Sequence, residues 1–75
     1  MSETKTNHSV EAVFGQRVRE LRKAKRLTQS DLAQTSGLHR NYISDTERGQ
    51  RNISLVCMSK LAIGLECEIK DFFDY

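Results

Sequence analysis

Proline is absent from the chain, as are low-complexity tracts and internal repeats. Nothing marks a linker or a second domain, so a single domain is expected. No apolar run approaches the roughly 18 residues that a membrane span requires. The opening MSETKTNHS has a single Lys and no apolar block of signal-peptide length, so a cytoplasmic location is expected, with Cys57 and Cys67 as reduced thiols. Strong charge of one sign is missing too. A net charge of +2 is too mild to announce nucleic-acid binding. There is no glycine-rich phosphate loop, no His with Cys or carboxylate partners at ligand spacing, and too little chain to build a cleft around paired carboxylates. Neither enzyme activity nor a cofactor or metal is expected.

What is present is a 37% hydrophobic fraction with 29% charged residues, ordinary for a soluble globular protein. A chain of this size buries only about 60% of its unfolded surface, so a partner subunit would add to a modest core. Charge is unevenly spread. QRVRELRKAKR, residues 16–26, is strongly basic, whereas ECEIKDFFDY, residues 66–75, is acidic. Alone, the basic run reads as a solvated helix face; it matters for nucleic acid only beside a recognition element.

Residues 1–8 are small and polar and are expected to form a flexible tail, leaving residues 9–75 as the folded domain. Ser9 can cap a first helix in which Val10, Val13, Phe14, Val18 and Leu21 recur at three- and four-residue spacing. Gly15 should weaken that helix by about 1 kcal/mol relative to Ala. In TQSD, Thr28 can cap a second helix starting near Gln29, with Asp31 reaching back as in a capping box. Ser36 and Gly37 end it, and a third helix follows at once, with Leu38, Ile43, Thr46 and part of Tyr42 inward, ending at Gly49. Ser54 caps SLVCMSKLAIGL, where Leu55, Val56, Met58, Leu61, Ala62 and Leu65 form a wide apolar face expected to be the main wall of the core. A last short helix from about Cys67 brings in Ile69, Phe72 and Phe73. No segment alternates long enough for a strand, so the expected fold is all-α, a compact domain of five helices.

Two short helices joined by a turn containing Gly37 fit a helix-turn-helix, whose second helix lies in the DNA major groove. Ala33 is small where the helices cross, Gly37 permits the turn, and Ile43 can bury so that the opposite face of the third helix stays outward. Thr46 stands where a larger aliphatic would complete the packing. That suggests either a thinner contact or a hydroxyl bonded to the backbone.

LRKAKRLTQSDLAQTSGLHRNYISDTERGQRNISL, residues 21–55, with the weaker LAIGLECEIKDFF, residues 61–73, resembles the helix-turn-helix proteins of the phage repressor and Cro type. Within them the chain is most similar to the small controller proteins of restriction-modification systems. The resemblance implies a lambda-repressor-like fold and base reading by Arg40, Asn41, Ser44 and Asp45. The chemistry agrees: Arg pairs bidentately with guanine, Asn with adenine, and Asp accepts from the cytosine amino group. For Asp45 the alternative is an ion pair with Arg48, three residues along the helix. Gln29 is implied as a phosphate contact at a helix N-terminus; Thr28 is a further phosphate candidate but more safely a cap. His39, Tyr42, Arg48, Arg51 and Asn52 are further phosphate candidates; for Tyr42 a half-buried ring is the competing explanation. The resemblance also implies a structural ion pair between Arg22 and Glu47.

The expected partners are double-stranded DNA, a second copy of the chain and, for a regulator of transcription, RNA polymerase; no small-molecule ligand is expected. Dimerisation is assigned to the fourth and fifth helices, because Ile53, Cys67, Ile69, Phe72, Phe73 and Tyr75 exceed what one small core absorbs. The alternatives are a phage-type repressor and a protein-binding module of the antitoxin type.

Overall fold

The computed structural model describes residues 9–74. The expected tail over residues 1–8 and the dimer candidate Tyr75 lie outside the described residues. Four α-helices follow in order: α1 (Val10–Ala24), α2 (Gln29–Ser36), α3 (Arg40–Glu47) and α4 (Leu55–Leu65). The expected fifth helix is instead a 3₁₀ helix, Ile69–Phe73, so the described residues form four α-helices rather than five. Its tight winding brings residues three apart onto one side, which turns Ile69 and Phe72 inward together and Phe73 outward.

Local chemistry sets the helix starts. The Ser9 hydroxyl accepts from the Ala12 amide at 3.1 Å, and the Ser54 hydroxyl from the Cys57 amide at 3.1 Å. Thr28 and Asp31 form a reciprocal capping box, with bonds of 3.0 and 2.9 Å. These bonds satisfy amides that a helix start leaves without partners, each cap being worth about 1 kcal/mol. Gly37 ends α2 at φ +77°, and the Ser36 hydroxyl accepts from the Leu38 amide at 3.2 Å, so the turn into α3 is fixed on both sides.

The core is built from Phe14, Val18, Leu32, Ile43, Leu61, Ala62, Leu65 and Phe72, with Ala33 and Leu38 half-buried against it. Two glycines allow helices to approach closely. A Cβ on Gly64 would fall 2.9 Å from the Ser36 Cβ, so α4 lies tight against α2, where the Thr35 hydroxyl also donates to the Gly64 carbonyl at 3.1 Å. A Cβ on Gly15 would fall 2.1 Å from the Thr46 carbonyl oxygen, so α1 meets the backbone of α3 directly. Read as a weakness of α1, Gly15 is what lets these two helices touch.

The expected core wall on α4 is narrower than its composition suggests. Leu61, Ala62 and Leu65 are buried, whereas Leu55 and Val56 are largely exposed, together with Ile63 on the same outer face. An apolar helix carries its excess somewhere, and here one stripe faces α2 and the opposite one faces outward. Among the described residues no helix is long and apolar enough to cross a membrane.

Candidate nucleic-acid interface

The position of α3 is set from behind. Ile43 is fully buried, and the Thr46 hydroxyl, also buried, donates to the Tyr42 carbonyl at 2.8 Å. Thr46 therefore fills the place of a larger aliphatic by satisfying its hydroxyl within its own helix. At the end of α3, Arg22 and Glu47 meet as a fork: Nε to Oε2 at 2.7 Å and Nη2 to Oε1 at 3.0 Å. The remaining terminal nitrogen of Arg22 donates to the Leu27 carbonyl at 2.7 Å, and the Gln29 amide donates to Glu47 Oε1 at 3.1 Å. This network joins α1, α2 and α3 at one point. Hydrogen bonding to Glu47 raises the Arg22 guanidinium further above its ordinary value, against the opposing effect of burial.

With its back fixed, α3 turns its first residues outward. Arg40 and Asn41 are exposed; Ser44 and Asp45, one turn on, are half-exposed. His39 occupies the N-cap position without a side-chain capping bond, and its ring is exposed beside the unpartnered start of the helix. Gln29 lies at the first turn of α2 with one amide hydrogen engaged by Glu47, while the Thr28 hydroxyl is taken up by the cap.

A second ionic network lies on the outer face. Asp45 Oδ1 accepts from Arg48, whose other terminal nitrogen donates to the Ser44 hydroxyl at 2.9 Å. Asp45 Oδ2 is 3.6 Å from Arg51 Nε, and the Arg51 guanidinium sits 4.3 Å from the Tyr42 ring centroid, within cation–π range. Asn52 is exposed in the same loop. Gly37, Leu38, His39, Asn41, Tyr42 and Cys57 with Arg51 line an open depression of about 430 Å³ next to this network.

Tyr42 is half-buried, and desolvation, reinforced by the neighbouring Cys57, pushes its phenol up to about 12. The Cys57 thiol is drawn below its ordinary range by hydrogen bonding to Ser54 and then Tyr42. Cys57 thus sits beside the candidate interface rather than in the core, which helical periodicity on an apolar helix did not reveal.

Half of the basic run over residues 16–26 is engaged within the domain. Arg17 donates to the Asp71 carbonyl at 2.8 Å and ties down the 3₁₀ helix, Arg22 is held by Glu47, and Lys25 lies 3.6 Å from Glu66. Arg19, Lys23 and Arg26 are exposed, so the run divides between internal fastening and surface charge.

Among the expected dimer residues, Phe72 needs correction. Phe72 is fully buried and packs on Phe14 with ring centroids 5.1 Å apart, so it is unavailable to a second subunit. Ile53, Cys67 and Ile69 are half-buried against the core, where burial raises the Cys67 thiol. The core takes up Phe72 fully and the other three in part. Only Phe73 among the described members is substantially exposed, and the larger open apolar surface is the outer stripe of Leu55, Val56 and Ile63.

An exposed helix start, a glycine turn and a buried anchor together define a helix-turn-helix unit. The chain belongs to the helix-turn-helix family, whose model matches residues 18–72. It is 42% identical over 69 residues to the control protein C.BamHI of Bacillus amyloliquefaciens, covering 91% of this chain and 85% of that one. Among solved structures it is similar to the restriction-modification controller protein C.AhdI from Aeromonas hydrophila, with a TM-score of 0.85 and 52% identity over 88% of this chain and all of that one. The restriction-modification controller protein C.Esp1396I is similar with a TM-score of 0.82 and 32% identity, over 91% of this chain and 88% of that one.

Proposed function

We propose that the protein is a DNA-binding transcriptional regulator of the restriction-modification controller type, acting in the cytoplasm as a homodimer on a palindromic operator. The observation that carries this reading is the pair Arg40 and Asn41, exposed on the first turn of a helix whose other side is locked by Ile43 and the Arg22–Glu47 fork. In the major groove Arg40, Asn41 and Ser44 meet base edges, and Asp45 faces the same side. Thr28, Gln29, His39, Tyr42, Arg48, Arg51 and Asn52 surround them at positions suited to the phosphate backbone, which fixes register without reading sequence. RNA polymerase is the further partner of such a regulator.

For the dimer, the outer stripe of α4 supplies the surface: Leu55, Val56 and Ile63 are each about two-thirds exposed or more. An isologous contact there would cover apolar area otherwise open to water, and the two α3 helices would then meet half-sites about 34 Å apart or a multiple of that. The same stripe is what favours the second reading, a module gripping a different protein.

Selection of bound duplexes from a random pool, with Arg40→Ala and Asn41→Ala in parallel, tests the proposal. Each variant should lose preference at particular base pairs, by about 1–3 kcal/mol per lost pairing. Gln29→Ala should instead weaken all duplexes alike. A monomer in sedimentation that enriches no sequence would transfer the stripe to a foreign partner and sink the operator-reading proposal.

A further inference from the structure

Asp45 stands at an awkward place for a carboxylate if DNA is to lie against α3. Phosphates repel it, and an uncompensated negative charge there opposes every duplex alike. Its surroundings suggest a use for that repulsion. One oxygen accepts from Arg48 and the other lies 3.6 Å from Arg51 Nε, so a single carboxylate faces two guanidiniums. Both arginines are exposed, Arg48 is further tied to the Ser44 hydroxyl, and Arg51 rests on the Tyr42 ring. The carboxylate thus occupies, for these two cations, the place a DNA phosphate would take.

Building on the operator-reading proposal, we propose that Asp45 sets specificity by charge: it is an internal counterion that withholds Arg48 and Arg51 from the phosphates of random DNA. Non-specific association is almost wholly phosphate neutralisation and counterion release, so a fixed carboxylate shared by two arginines removes much of what they would contribute. At the operator, contacts from Arg40 and Asn41 hold α3 in the groove and make exchange of the carboxylate for phosphate worthwhile. Asp45 then widens the gap between operator and bulk DNA without itself pairing with a base.

The test compares wild type with Asp45→Asn, which keeps shape and removes charge, and with Asp45→Ser as a second variant. Binding to the selected operator and to a random duplex is measured by fluorescence anisotropy across a salt series, with helicity and thermal melting checked for each variant. Both variants should bind random duplex roughly tenfold more tightly at low salt, with a salt dependence steeper by about one to two as the freed arginines each engage a phosphate. The operator-to-random ratio should fall accordingly. In an Arg48→Gln, Arg51→Gln background the Asp45 substitution should change random-duplex binding far less.

Unchanged random-duplex affinity and salt dependence, with altered preference at one base pair only, would show that Asp45 reads a base and overturn the proposal. An equally large gain in the doubly substituted background would also overturn it, since the effect would then be general charge. A wild type without preference for any duplex defeats the operator-reading proposal itself, and is distinguished by the wild-type arm alone.

Discussion

Two carboxylates two positions apart on α3 illustrate how burial assigns a role to an ion pair. The Glu47 side chain is 3% exposed and receives a forked arginine plus an amide, whereas Asp45, at 31%, holds two arginines at the surface. Both are acid–arginine contacts of similar chemistry. Behind the helix, however, neither partner can return to water if the other is removed, so the pair acts as part of the framework. In front, water and salt compete for each group, so the contact adds little to stability and its arginines can be released without unfolding the domain.

The largest expected effect breaks the rear pair. Glu47→Ala leaves the Arg22 guanidinium buried beside the Leu27 carbonyl alone, and chemical denaturation should show a loss of about 3–5 kcal/mol. Replacing both partners by Met should recover most of that loss, because the uncompensated charge is then gone. If the single variant were as stable as wild type, the contrast between the two faces would collapse.

Next comes the contact beside it. Gly15→Ala would drive a Cβ against the Thr46 carbonyl, where backbone rather than a flexible side chain must yield. A destabilisation of about 3 kcal/mol is expected despite the better helix propensity of Ala. The melting temperature measures it, and a more stable Ala variant would mean that α1 and α3 are not in backbone contact.

On the front face the expectation is small. Arg48→Ala should change stability by less than about 1 kcal/mol, because its bonds to Asp45 and Ser44 are solvent-accessible. A loss comparable to that of Glu47→Ala would erase the distinction drawn between the two pairs.

The smallest effect concerns pH and an exposed cap. The Thr28 amide, and then the Thr28 hydroxyl, hold Asp31 below the ordinary carboxylate range. A folded-state value below the unfolded one of about 3.9 means that its contribution is present at neutral pH and lost as pH falls through the folded value. Asp31→Asn should flatten that part of the acid limb in melting experiments as pH falls below about 4, leaving the neutral-pH stability slightly reduced.

Features decided within a few residues were legible in the sequence. Ser9, Thr28 with Asp31, and Ser54 accept from amides three positions away, the Gly37 amide donates to the Ala33 carbonyl four positions back, and each is found at its helix boundary. The outward start of α3 was legible for the same reason, since burying Ile43 leaves Arg40 and Asn41 only one way to face. Features decided by the partner across a contact were not. Gly15 looks like a defect until α3 is laid against it, and Phe72 looks available until Phe14 is found beneath it. On α4 apolar residues run round both sides, so periodicity could not say that Leu55 and Val56 face outward while Leu61 and Leu65 face in. Arg22 and Glu47, far apart in the chain, came from family likeness and not from spacing. The exposed arginines around Asp45 follow sequence proximity, but that one carboxylate is shared between two of them is visible only in three dimensions.

The bare approach of α1 to α3 at Gly15 separates what can vary from what cannot. Because no side chain mediates that contact, the placement of α3 is independent of the residues it displays. Arg40, Asn41 and Ser44 can therefore be exchanged for other polar residues without refitting the interior. A lineage of such proteins could acquire new target sequences through a handful of surface substitutions, while the glycine behind them stays as it is.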